Sequence, residues 1–243
     1  MKMLKYALVY IYSWRETMKA FILDQIPFEP TPEQIQHVVE TKVGKSSADA
    51  IERMVEEVKA IAKPKAMYRM VPCEPKGDES VEIGGTLFES RVLRVNLEGI
   101  HRVFAFVVTC GQELQAWKDS IEGTLEDYYA DVVNGIALTI ARDYLVDHLE
   151  ERYQLGKTAT MNPGSLNNWP IRAQIPLFDL LGDPEEAIGV QLLDSLLMNP
   201  GQSVSGIRFQ TESDYVNCQL CPRLDCPHRK APYDQDLYEE RFA

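Results

Sequence analysis

Apolar and polar positions change period several times along the chain, and each change marks an element. Thr31 precedes Pro32 and Glu33-Gln34, the pattern of a capped helix start, which predicts a helix over 31–43. Over 47–62, Ala50, Ile51, Met54, Val55, Val58 and Ile61 recur at helical spacing, Ser46 or Ser47 can cap the first turn, and Pro64 ends it. The period then becomes that of strands at 67–71, 80–83 and 103–109, with Gly84-Gly85 as a turn. Phe104-Ala105-Phe106-Val107-Val108 is apolar throughout, as in a strand covered on both faces. A helical stretch follows from Gly111 to Trp117. A much longer helix is expected over 125–153, where no proline intervenes and the usual rise gives about 40 Å. Gly135, Ala137 and Ala141 along it leave room for close packing by a neighbour. Residues 156–168 are rich in Gly, Asn, Ser and Thr and read as a loop. Short helices are expected at 175–181 and 187–197, and a strand at 203–209.

The chain has 243 residues, 45% of them hydrophobic, enough for one sizeable core or two small ones. Its net charge of -12 and the lack of a Lys/Arg stripe exclude a nucleic-acid partner. The apolar run Tyr6 to Tyr12 is too short to span a bilayer and has no small-residue cleavage site, so it reads as a strand or buried segment. No other window suits a membrane helix, and the expected location is the cytoplasm.

Five cysteines, an odd number in a chain without a secretion signal, argue against a disulfide framework. Three of them form Cys218-x2-Cys221-x4-Cys226, followed by Pro227-His228. Thiolates so closely spaced can converge on one soft metal. Three cysteines suit an iron–sulfur cluster of the 4Fe–4S type, with Cys73, Cys110 or His228 as a fourth ligand. Zinc in a Cys3His set is the competing reading, though one residue between Cys226 and His228 is a tight chelate. Three free thiols in a surface segment is the third. The sequence divides accordingly into a domain over 1–215 and a cysteine-rich metal-binding tail over 216–243.

A second candidate is the loop Asn162-Pro163-Gly164-Ser165-Leu166-Asn167-Asn168-Trp169-Pro170, which sets amides and polar side chains beside an indole. Such a surface suits a small polar ligand with an aromatic part. An ordinary structured turn accounts for the same residues. The tetrapeptide Met161-Asn162-Pro163-Gly164 recurs as Met198-Asn199-Pro200-Gly201, and Pro-Gly suits a type II turn in both places. His37, His101 and His148 are dispersed, no phosphate-binding or nucleophile-elbow motif occurs, and no nucleophile–base pair is visible.

The order of these segments resembles a known family. Phe106-Val107-Val108-Thr109-Cys110-Gly111, the long helix, Asn162-Pro163-Gly164-Ser165 with Trp169-Pro170, and Ser203-Val204-Ser205-Gly206 are similar to the activation (reactivation) domain of cobalamin-dependent methionine synthase. Tyr215 falls near a tyrosine-bearing stretch of that family. The resemblance implies an α/β (α+β) fold with a twisted, largely antiparallel sheet and packed helices. It implies an S-adenosylmethionine pocket involving Pro163, Gly164, Ser165 and Tyr215, and docking on a corrinoid protein or corrinoid methyltransferase whose Co(II) cobalamin is reductively reactivated. A non-catalytic binding module, with a structural zinc site and a degenerate pocket, is the alternative. The family carries an arginine and a tyrosine where this chain has Thr160 and Ser165, so weak binding of the ligand carboxylate is expected. The cysteine cluster is no part of the methionine synthase domain and resembles the ends of some stand-alone relatives.

Overall fold

A computed structural model describes residues 19–165, 168–211, 219 and 231–242. A short strand, β1 (Phe21–Leu23), leads to helix α1 (Pro32–Val38), which opens with a complete capping box between Thr31 and Gln34. The chain continues through a π-helical segment, Val39–Val43, into α2 (Ala48–Val58). Three strands follow: β2 (Lys65–Lys76), β3 (Ser80–Ile83) and β4 (Thr86–Glu89). Helix α3 (Arg91–Asn96) precedes β5 (Arg102–Thr109), α4 (Gln112–Asp119) and the long α5 (Thr124–Tyr153). The remainder comprises β6 (Thr158–Met161), α6 (Gln174–Leu181), α7 (Pro184–Ile188), β7 (Gln191–Leu192), β8 (Met198–Asn199), β9 (Ser203–Gln210) and α8 (Gln235–Phe242).

The main sheet runs β4-β3-β2-β5-β9-β6, with β1 also on β2, and every described pairing in it is antiparallel. The fold is thus α+β with the expected antiparallel sheet. Alternation along the central strands divides the core. Met67, Val71, Ala105, Val107, Ile207 and Phe209 face α3, α6 and α7. Tyr68, Met70, Phe104, Phe106 and Val108 face Ala141, Leu145 and Leu149 of α5. Each large side chain buried here contributes about 1.5–3 kcal/mol. A third cluster joins α2, α4 and the first half of α5 through Val55, Val58, Leu114, Val133 and Ile136.

Two local expectations fail for identifiable reasons. Residues 187–197 do not form a helix: α7 ends at Gly189, whose φ is 75°, and the chain then forms the β7–β8 hairpin, with Leu196 at φ 66° in its tip. Four leucines in that stretch mimic helical spacing, but the left-handed glycine stops propagation. The stretch 156–168 is only partly a loop, because Thr158–Met161 pairs with β9 as an edge strand. The two Asn-Pro-Gly repeats also differ. Gly164 has φ 81° and Ser165 N–H donates to Asn162 O at 3.1 Å, a type II turn. The Asn199–Pro200 peptide is cis, and Gly201 lies outside the left-handed region.

Candidate functional site

Strand β9 is the seam of the candidate site, between β5 on one side and β6 on the other. Each residue of its Ser-Val-Ser-Gly start has a structural task. Ser203 Oγ donates to Thr109 Oγ1 at 2.8 Å, and Thr109 Oγ1 also accepts from Gly111 N–H at 3.1 Å. The Thr-x-Gly turn after β5 is therefore tied to the start of β9. Ser205 O accepts from Asn162 Nδ2 at 2.7 Å, and Ser205 Oγ accepts from the buried Gln174 Nε2 at 3.1 Å. Val204 packs towards α5. Gly206 is forced by the crossing of β6: a Cβ there would lie 2.4 Å from Met161 O and 2.6 Å from Asn162 Nδ2.

Beyond β6, the loop is closed by Gly164 N–H donating to Trp169 O at 2.8 Å. Pro163 is buried, Ser165 half-buried and Gly164 exposed, in a loop whose first residue, Asn162, is tied to Ser205 of β9. The neighbour that Gly164 admits is part of the protein, since a Cβ there would lie 2.8 Å from Ile171 Cδ1. The indole expected at a ligand surface is in the core: Trp169 is 1% exposed and meets Phe88 edge-on at 6.3 Å. Among the described residues, Trp169 Nε1 and Gln174 Oε1 are buried with no hydrogen-bond partner. Asn168 ties the loop to α3, its Oδ1 accepting from Ser90 Oγ and Val92 N–H, each at 3.1 Å. Leu166, Asn167 and Tyr215 lie outside the described residues.

Thr160, the position at which the resemblance places an arginine, faces α5. Arg208 of β9 is its register partner and donates from Nη1 to Thr160 Oγ1 at 2.9 Å. Arg208 is half-buried. Burial first, and then the like charge of Arg142 on α5, hold its guanidinium below the ordinary value, with Glu150 acting the other way. The sequence reading missed this residue. The available signal was the strand period, which puts Arg208 on the face of Val204 and Gly206, towards the long helix.

Cys218, Cys221, Cys226 and His228 lie outside the described residues, and their flanks are anchored. Thr211 N–H donates to Lys157 O at 3.0 Å after β9. On the far side, Asp234 N–H donates to Gln219 O at 2.8 Å, Asp234 Oδ1 caps Leu237 N at 2.9 Å, and Leu237 of α8 packs on the core beside α3. Cys73 and Cys110 are buried in different core clusters, and burial pushes both thiols up to about 12. Among the described residues no group of three or more His, Cys, Asp or Glu side chains is placed to hold a metal. Also among them, no helix is long and apolar enough to cross a membrane.

No family model matches the sequence, and no curated protein matches it. Among solved structures, the chain is similar to a crystal structure of the MetH reactivation domain bound to AdoHcy, with a TM-score of 0.62 at 17% identity, over 82% of this chain and 81% of that one. Identity that low carries the architecture and no more: the chain has the fold of the MetH reactivation domain.

Proposed function

We propose that the chain is an accessory protein of corrinoid-dependent methyl transfer. It docks on a corrinoid protein or corrinoid methyltransferase and supports reductive reactivation of Co(II) cobalamin. The observation that carries this reading is the shared fold over about four-fifths of both chains with a domain that binds AdoHcy. In this reading Pro163, Gly164 and Ser165, with Tyr215, border a pocket for S-adenosylmethionine or its demethylated product. The β6–β9 pair and α5 provide its frame.

The donor set at Cys218, Cys221 and Cys226 suits one metal centre, three thiolates within nine positions. A ligand must be deprotonated, and burial opposes that at Cys73 and Cys110, so His228 or a ligand from outside the chain is the better fourth. When bound, a 4Fe–4S cluster supplies single electrons at low potential, the chemistry that Co(II) requires. The chain's own part is to hold the cysteine segment between β9 and α8.

Anaerobically purified protein is expected to be coloured, with iron and acid-labile sulfide in stoichiometric amounts. Single Ser substitutions at Cys218, Cys221 or Cys226 should each release the metal. In a reconstituted assay the protein should restore methylation of a Co(II) corrinoid partner. Colourless protein with stoichiometric zinc and no iron would remove electron delivery and leave a binding module with a structural zinc site.

A further inference from the structure

We propose that Arg208 anchors a ligand carboxylate on the α5 side of the β6–β9 pair, taking from a neighbouring strand the task that Thr160 cannot perform. Register places Arg208 opposite Thr160 on one side and Phe104 on the other, so the three side chains share the face that meets α5. The guanidinium makes one hydrogen bond among the described residues, from Nη1 to Thr160 Oγ1. A guanidinium has five N–H donors. None of its nitrogens is both buried and unpartnered, so the spare donors are open to solvent and to a ligand. Among the described residues no carboxylate is within ion-pair distance of it. Arg142 of α5, whose like charge acts on Arg208, is itself 3.7 Å from Asp143.

Burial and the like charge of Arg142 both work against the half-buried guanidinium, and Glu150, which favours it, makes no ion pair with it, so burying the charge costs free energy that close pairing would offset. An arriving anion supplies that pairing. The planar fork matches a carboxylate with two parallel hydrogen bonds, and the Thr160 hydroxyl fixes one edge of that fork. The loop bearing Pro163, Gly164 and Ser165 leaves β6 just after Thr160. In the proposed adenosyl pocket a carboxylate at Arg208 would stand at the β6–β9 end, with the rest of the ligand following that loop. The ligand class is an amino acid joined to a larger body, as in AdoHcy. This assignment rests on the proposed adenosyl pocket.

The test is calorimetry of the full chain with AdoHcy and with methylthioadenosine, which keeps the nucleoside and lacks the carboxylate. Arg208→Gln should weaken AdoHcy by about 10- to 100-fold, the range for one charge-assisted contact, and leave methylthioadenosine unchanged. Arg208→Lys should recover part of the loss. Unchanged AdoHcy binding in Arg208→Gln would overturn the assignment while leaving the pocket standing. Equal weakening of both compounds would also overturn it, by showing that Arg208 only holds the strands together. If neither compound binds the unsubstituted protein, the adenosyl pocket fails, and succinate decides the anion site. A shift of the Arg208 Nε–H resonance on titration sustains the site, and no shift overturns it.

Discussion

Gly206→Ala is the sharpest probe of how β6 is held. The added Cβ would stand 2.4 Å from Met161 O, 1.0 Å short of the 3.4 Å at which ordinary contact begins, and 3.2 Å from Phe106 Cζ. The carbonyl belongs to backbone and cannot rotate away. Relief must come from parting β6 from β9, and β6 has no other described strand beside it. Parting them stretches the Asn162 Nδ2–Ser205 O bond and the adjoining ladder, each contributing about 0.5–1.5 kcal/mol. Residual overpacking against Phe106 costs about 1–3 kcal/mol more. A total near 3 kcal/mol corresponds to a fall in Tm of roughly 6–12 °C for a chain of this length. Urea unfolding followed by circular dichroism should show a lower midpoint at unchanged slope. Gly201→Ala is the matched control, because among the described residues its Cβ would meet only Gln115 Oε1, at 3.9 Å. If Gly206→Ala unfolds within about 0.5 kcal/mol of the unsubstituted protein, the crossing of β6 over Gly206 is wrong.

Gly135→Ala should do the opposite. Its Cβ meets Gln202 Oε1 at 3.6 Å and Lys42 Nζ at 3.7 Å, ordinary contacts, so helix propensity dominates and stability should rise by up to about 1 kcal/mol in the same unfolding assay. Cys73 and Cys110, pushed up to about 12 by burial, should resist iodoacetamide near pH 8 in native protein and react once it is unfolded, as mass spectrometry of digests would report. His148, which shares a hydrogen bond with Tyr68 OH at 3.0 Å, is held below its ordinary 6.5 by burial and then by Arg152. Its folded value is the lower one, so its contribution is complete above about pH 6.5 and is lost as pH falls through the folded value; His148→Gln should flatten the stability profile between about pH 7 and 5.

The parts of the fold legible in the sequence are those whose signal is local and long. Thirty residues of α5 without proline, and the unbroken apolar run of β5, could hardly be anything else. Edge strand β6 has only four residues, and its Thr-Ala-Thr-Met alternation is hidden among loop-forming neighbours. Only pairing with β9, which is far away in sequence, makes it a strand. The candidate site depends on the same non-local fact. The loop at Pro163 was visible as turn chemistry, and Gly164 does adopt the left-handed backbone that such a turn needs. Its indole was misplaced because a tryptophan beside a polar loop looks the same from sequence whether it faces solvent or Phe88. The resemblance set Thr160 where the family it points to carries an arginine. The guanidinium that reaches it belongs to a residue 48 positions later, and no spacing rule connects the two. Thr160 and Arg208 share one face only because β6 pairs with β9, and it is that register, read from neither segment alone, that brings the hydroxyl and the guanidinium together.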